Sequence, residues 1–478
     1  MAFRLACGFS LAALMSVALA GQDTVALPRP ILIVGGTLID GSGGAPRHND
    51  AILLENGRIR GIGASFEKQA PKDAERLDAT GKWILPGLID GHIHLMQTGG
   101  IDARPDQVPN PDGRPFQDIV NEIEAHPEVY LRPYLCSGIT TVIDPGGPMW
   151  QFALRDKIWN DPLFPRMAYT GPMLAIAGPA PAGGGDAGGG RAAAGVPAAG
   201  GGRARGSIRL ENGDPLWPTR DEATIRENVG RLAAQHPVFV KIVFIQYGDE
   251  QVKTLRATIA AIHAAKLRAA VHATTYETAM AAVDAGADIL VHSVADRDID
   301  DKFVHAVVSR KVIVAPTLVV GQNYGEVRAR HVEFEPFESN CAPPKTIKSF
   351  DVLPSIPPDQ GRQSTGNALP IQQRNLKRLA DAGAIIYVGS DAGNTRTLHG
   401  PSLHREFALM VDAGLTPMQV LVAATKTNAI VMKREKELGQ IKAGMLADVL
   451  LLDADPLTDI HNTRRVYKVI RGGFLYQP

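Results

Sequence analysis

Between residues 88 and 390 the chain alternates short apolar runs with stretches of helical spacing, and this alternation limits the available folds more than any other feature. The apolar runs lie at 88–95, 140–144, 167–170, 239–244, 269–272, 289–292, 312–316 and 385–390. They have the length and aliphatic content of buried strands. In a crossover, Val252, Leu255, Ile259 and Ile262 repeat at the spacing that lines one face of a helix. Strands separated by helices pair in parallel. Eight such strands predict an α/β fold, a (β/α)8 TIM barrel. An open doubly wound sheet is the competing arrangement, but no Gly-x-Gly-x-x-Gly follows the first strand.

Both ends of the chain have a different texture. Ile31-Leu32-Ile33-Val34, Ala51-Ile52-Leu53-Leu54 and Arg58-Ile59-Arg60-Gly61-Ile62 are β-prone runs, and Asn56-Gly57 between the last two marks a hairpin turn. Residues 447–452 and 466–473 read the same way. Residues 22–86 and 436–478 are therefore expected to form one small β-sandwich, with the barrel over 87–435. Two barrel crossovers are long: a Gly/Ala-rich insert at 179–206 carrying Arg191, Arg203 and Arg205, and a Pro-rich one at 321–366. Loops that follow barrel strands cover the active face, so both are expected as lids.

Residues 1–20 combine Arg4, an apolar stretch and the small-residue end Ala18-Leu19-Ala20, the pattern of a signal peptide cleaved before Gly21. The mature protein is expected to be secreted or periplasmic, with no membrane attachment after cleavage. Cys7 would leave with the signal; Cys136 and Cys341 remain, could pair in an oxidising compartment, form no framework with further cysteines, and are expected to be free thiols. Lys+Arg and Asp+Glu each number 50, so no net charge favours a nucleic acid or an anionic surface. A small molecule is the expected partner; a homo-oligomer stays open.

The chemistry gathers at strand ends. A strand sends alternate side chains to one face, so His92 and His94 point the same way from the end of the first barrel strand. Lys241, His272, His292 and Asp391 fall at the ends of later strands, and His399 lies just beyond. Barrel enzymes place their catalytic groups at this face. Each residue has a plain structural reading, since a strand-end His is often a satisfied polar group and an Asp before Ala-Gly a helix cap. Their coincidence argues for a metal site. An ammonium in an apolar strand, as at Lys241, is costly unless paired or changed. Four neutral imidazoles and one carboxylate leave two divalent cations short of negative charge, and a lysine carbamate formed with carbon dioxide would supply it.

These residues sit in motifs that resemble the metal-dependent amidohydrolase superfamily, in its imidazolonepropionase-like and prolidase-like (Xaa-Pro dipeptidase-like) branch. The motifs are Gly36-Thr37-Leu38-Ile39-Asp40-Gly41, Pro86-Gly87-Leu88-Ile89-Asp90-Gly91-His92-Ile93-His94, His399-Gly400 through Glu406, Ala413-Gly414-Leu415-Thr416-Pro417, and Leu438-Gly439-Gln440-Ile441-Lys442-Ala443-Gly444 to Ala447-Asp448. The resemblance implies two divalent metals, most often zinc: one held by His92, His94 and Asp391, the other by His272 and His292, with carbamylated Lys241 and a hydroxide between them. It departs from the branch after the third strand, where Ala177-Gly178-Pro179-Ala180-Pro181 replaces a Gly-Gly-His stretch.

The expected activity is cleavage of carboxamide bonds in dipeptides or N-acyl amino acids by a metal-activated hydroxide, with Asp391 moving the proton to the leaving amine. Tyr247, just after the Lys241 strand, is expected to grip a substrate carboxylate, and His399 to orient Asp391 or meet the substrate. A cyclic-amide or lactam hydrolase, or a deaminase, on the same scaffold is the first alternative. A barrel retained as a binding protein is the second.

Overall fold

The computed structural model describes residues 27–104, 108, 114–176, 213–356 and 368–477. The signal-like segment 1–20, the insert 179–206 with its three arginines and the Ala177–Pro181 stretch lie outside the described residues.

Two sheets built from both chain ends pack face to face. The first orders its strands as Arg58–Ile62, Ile52–Glu55, Ile31–Val34 and Glu75–Asp78. The second runs Phe474–Tyr476, Val466–Arg471, Val449–Leu452, Trp83–Pro86, Thr37–Leu38 and Arg47–His48. Residues Ile33, Ile52, Leu54, Ile84, Val449, Leu451 and Ile470, spaced by two along their strands, fill the layer between. Asn56 and Gly57 both take positive φ, 51° and 73°, as a two-residue hairpin turn requires.

The eight barrel strands are Leu88–Asp90, Ile139–Asp144, Arg166–Tyr169, Val240–Val243, Ala269–His272, Ile289–Val291, Ile313–Ala315 and Ile385–Ile386. Their pairings are parallel. Most of their residues are buried on both faces, which is why they read as continuous apolar runs rather than alternating ones. The last strand meets the first through Gly91 N–H on the Val388 carbonyl at 2.9 Å and Asp391 N–H on the His92 carbonyl at 2.7 Å. Glycines make this seam possible. A Cβ on Gly389 would lie 2.4 Å from both Cβ and N of His92, and one on Gly91 would lie 2.5 Å from the Val388 carbonyl.

Three expectations change. The third strand does not run straight: Gly171, at φ +83°, turns the chain, and it resumes as Met173–Ile176, which pairs with Val240–Val243 on one side and Leu216–Thr219 on the other. The segment after the seventh strand is not an open proline-rich loop in its described part. It forms the helices Leu318–Arg328, Pro336–Cys341 and Pro344–Lys348 and a 3-10 turn Ser349–Ser355. Pro336 and Pro344 sit in first turns, where a missing N–H costs nothing. Cys136 and Cys341 are not free. They end two helices whose Cα atoms approach to 5.6 Å and are joined as a disulfide across a sequence separation of 205, a proximity no spacing rule could reveal. Among the described residues no helix is long and apolar enough to cross a membrane.

Candidate metal centre

Every strand end that carries a candidate ligand opens toward one point. His92 is fully buried and His94 nearly so. Their Nε2 atoms stand 3.3 Å apart, and Oδ1 of Asp391, brought in by the closing seam, lies 3.4 Å from the first and 3.3 Å from the second. The His292 ring centroid is 5.5 Å from that of His92 and 4.4 Å from that of His272. Lys241, 2% exposed, shares this interior and couples electrostatically to Asp391. Donor atoms of His92, His292 and Asp391 all fall within 4.8 Å of one another, and His292 and Asp391 both reach inward from left-handed backbone, at φ 74° and 57°. Such conformations for non-glycine residues cluster at functional sites.

Burial drives every titratable group here toward neutrality. It lowers His94 and His272 to about 3 and holds His92 and His292 well below the usual imidazole range, with the Lys241 charge adding to the effect. The same burial pushes the Lys241 amine down and the Asp391 carboxyl up, each opposed by the charge of the other. Four uncharged imidazoles carry lone pairs, the form that ligates a metal.

Hydrogen bonding fixes where some of those lone pairs point. Nδ1 of His94 lies 2.9 Å from the Gly146 carbonyl, which can only accept, so Nδ1 holds the proton and Nε2 is bare. That bare nitrogen faces Asp391 Oδ1, a buried oxygen with no hydrogen-bond partner among the described residues. Two acceptors 3.3 Å apart at a buried site repel unless a cation lies between them. The donor set of imidazole nitrogens and carboxylate oxygen suits zinc and its neighbours. The residues present therefore fit the group that the resemblance implies.

Two buried carboxylates brace this arrangement, and sequence reasoning passed over both. Asp90 accepts from the backbone N–H groups of His92 (3.2 Å) and Ser390 (2.9 Å) and from the Ser390 hydroxyl (2.6 Å), tying the two halves of the seam. Asp144 accepts from Leu95 N–H at 2.9 Å and Gly146 N–H at 3.0 Å, which holds the carbonyl that orients His94. Burial raises both to about 7. Their positions at strand ends beside histidines were the available signal. Arg104 was passed over as well: Nη1 donates to Asn394 Oδ1 at 2.8 Å, and its charge bears on His94, His272 and Asp391.

His399 departs from expectation. Its Nδ1 accepts from the Tyr134 hydroxyl at 2.8 Å and its Nε2–H donates to the Gln97 carbonyl at 2.7 Å. With both nitrogens taken and 1% exposure, it anchors the chain just past His94 instead of reaching Asp391 or a substrate. Tyr247 lies beyond the end of the Val240–Val243 strand, ahead of helix Asp249–Ala264, and is 55% exposed.

A closed parallel barrel with imidazoles and a carboxylate gathered beyond the C-terminal ends of its strands has the architecture of a family of hydrolases that are generally metal-dependent. Residues 83–475 match the model of the amidohydrolase family, and the chain belongs to that family, hydrolases of carbon–nitrogen bonds acting on small molecules. A dihydroorotase of Trichlorobacter lovleyi is 44% identical over 69 residues, only 14% of this chain and 16% of the relative. Among solved structures, a Xaa-Pro dipeptidase with methionine bound in its active site superposes with a TM-score of 0.67 at 22% identity, covering 94% of this chain and 100% of that one. Molinate hydrolase gives 0.67 at 21% identity over 94% of this chain and 95% of its own. At these identities the likeness is one of fold.

Proposed function

We propose that this chain is an exported, binuclear amidohydrolase that cleaves the carboxamide bond of dipeptides or N-acyl amino acids. The observation that carries the reading is the convergence of imidazole nitrogens, the bare Nε2 of His94 among them, and the unpartnered Asp391 oxygen on one buried point, with Lys241 in the same interior. His92, His94 and Asp391 would hold one ion and His272 and His292 the other, with Lys241 carbamylated so that a carbamate oxygen is offered to each. In that carbamylation the ammonium first gives up one proton to solvent, the neutral amine nitrogen then bonds the carbon of carbon dioxide, and a second proton leaves the nitrogen, so that a buried cation becomes an anion. Zinc suits this donor set. Bound there, such ions bring the pKa of a coordinated water from about 15.7 toward about 7 and polarise a substrate carbonyl.

The chain's own residues supply the rest. Asp391, kept basic enough by burial to take a proton, receives one from the attacking water and returns it to the leaving amine. The dry walls around the histidines exclude competing water. The Tyr247 hydroxyl, at the exposed rim, donates to the free carboxylate of the leaving amino acid and orients the scissile bond. The Cys136–Cys341 disulfide supports export to an oxidising compartment, as does the signal-like pattern of residues 1–20. The short dihydroorotase match favours one alternative, hydrolysis of a cyclic amide on the same site.

Screening metal-loaded protein against dipeptides, N-acyl amino acids and cyclic amides, each carboxylate also tested as its amide, decides the matter. The expected result is highest kcat/KM on a substrate with a free C-terminal carboxylate, reduced tenfold or more by amidation and by Tyr247→Phe. Equal rates on acid and amide, or turnover confined to cyclic amides, overturn the dipeptide reading.

A further inference from the structure

His292 is held by a device several residues removed from the metal centre. Its Nδ1 lies 2.5 Å from the Thr317 hydroxyl oxygen, and its backbone is fixed by an N–H bond to the Ala315 carbonyl at 2.9 Å. Thr317 immediately precedes helix Leu318–Arg328, the position where a threonine side chain ordinarily accepts from the first free amides of the helix. It makes no such bond here. Its backbone sits at φ 46°, ψ 52°, a left-handed conformation that a β-branched residue rarely adopts. The hydroxyl is turned away from the helix and toward His292.

The helix is capped from elsewhere. Glu406, on helix Ser402–Asp412 and fully buried, receives Leu318 N–H on Oε1 at 2.9 Å and Val319 N–H on Oε2 at 2.7 Å. Leu318 and Val319 are themselves fully buried, so water could not take over those amides. One carboxylate thus does for this helix what its own threonine does not, and the helix N-terminus favours negative charge at that point.

We propose that Glu406 is a positioning residue for the metal centre: by capping helix Leu318–Arg328 it leaves the Thr317 hydroxyl to accept from Nδ1–H of His292, so that Nε2 of His292 presents its lone pair to the metal. Without Glu406, Thr317 relaxes to its ordinary capping geometry and His292 loses both its fixed tautomer and its aim. The inference rests on the proposed metal centre, and its test is arranged to separate the two.

The test uses the full chain as wild type, Glu406→Gln, Thr317→Val, Thr317→Ser and the double variant Glu406→Gln/Thr317→Val. The metal-free proteins, labelled with 15N-histidine, report ring tautomers by NMR, with the His292 signal identified by its loss in His292→Gln. Cobalt titration then gives both dissociation constants. In the wild type His292 is expected as the Nδ1–H tautomer. Both Glu406→Gln and Thr317→Val should shift it to a mixture and weaken one cobalt site by tenfold or more, Thr317→Ser should restore it, and the double variant should be no worse than either single. Glu406→Gln with unchanged tautomer and cobalt affinity overturns the proposal, as do losses that multiply in the double variant. If Glu406→Gln does not fold, Glu406→Asp, which keeps the carboxyl but withdraws it by one methylene, is judged by the same readings. A wild type that takes up fewer than two cobalt ions refutes the binuclear reading, while the tautomer comparison still decides the role of Glu406.

Discussion

Replacing Asp448 by Asn should destabilise the whole protein, because this buried carboxylate joins the β-sandwich to the barrel. Its Oδ2 accepts from Arg166 Nε at 3.0 Å and its Oδ1 from Arg166 Nη2 at 3.3 Å, while Gly472 N–H reaches Oδ1 at 2.7 Å. Arg471, whose guanidinium donates to the carbonyls of Trp159 at 2.8 Å and Phe164 at 3.1 Å, adds a second buried cation. Burial alone would raise Asp448, but these guanidinium charges and hydrogen bonds outweigh it and hold the carboxyl below its ordinary value. Asparagine keeps one acceptor, leaves the buried Arg166 guanidinium without its ion-pair partner, and takes from Arg471 the stronger of the two negative charges that act on it, leaving that of Asp161. Removing one partner of such a group costs about 3–5 kcal/mol, a large part of a total near 5–15 kcal/mol. With a urea dependence of about 3 kcal/mol/M for a chain of this size, the midpoint should fall by about 1–1.7 M at pH 7. The comparison is made metal-free, so that ligand binding does not add to either side. The sign with pH follows from the depressed carboxyl: its contribution is present above the unfolded value of about 3.9 and is lost as pH falls through the folded one. The wild type should therefore lose stability in acid more steeply than Asp448→Asn. A midpoint shift equivalent to less than about 1 kcal/mol, or parallel acid limbs for the two proteins, refutes the reasoning.

Lys241→Ala should lose metal and activity together, and short carboxylic acids should restore part of both by standing in for the carbamate; elemental analysis and turnover with and without added acid check this. Asp391→Asn keeps an oxygen for the metal but not a proton acceptor, so kcat should fall by about 10²–10⁴ with the fold intact by circular dichroism, and a drop of only a few-fold assigns the proton to another group. Cys136→Ser/Cys341→Ser removes a cross-link spanning 205 positions and should cost about 2–4 kcal/mol in urea unfolding, a loss that reductant should reproduce in the wild type and not in the variant.

What could be read in the sequence was what repeats. Strand candidates such as 269–272 were visible because both faces of a barrel strand are buried; the strand expected to carry His92 and His94 ends at Asp90, so the period of two does not itself account for the Nε2 atoms of those histidines standing 3.3 Å apart. The Asn56-Gly57 turn declared itself through residues that tolerate positive φ. What stayed hidden depends on long-range proximity. Cys136 and Cys341 meet only because two helix ends are brought together. His399 looked like a candidate for chemistry until Tyr134 and Gln97 were seen to occupy both nitrogens. Glu406 sits at an ordinary helix position, and only the fold shows that the amides of Leu318 and Val319 point at it. The break at Gly171 was equally silent, since a glycine after a strand reads as a plain turn.

The seam between the first and last barrel strands would also set when the proposed centre could take up metal. Asp90 and Ser390, bonded across it, are 300 positions apart, and His92 and Asp391 flank that bond. A chain still being made, or cut before the last strand, carries the two histidines on an open sheet edge with no carboxylate opposite. Metal uptake is then a late event that reports closure of the barrel. An ion held at the proposed centre would act as a clasp on the seam, and each tenfold of free metal above the dissociation constant would add about 1.4 kcal/mol against its opening. The amount of folded enzyme in a cell would follow the metal supply of the compartment where the chain finishes folding.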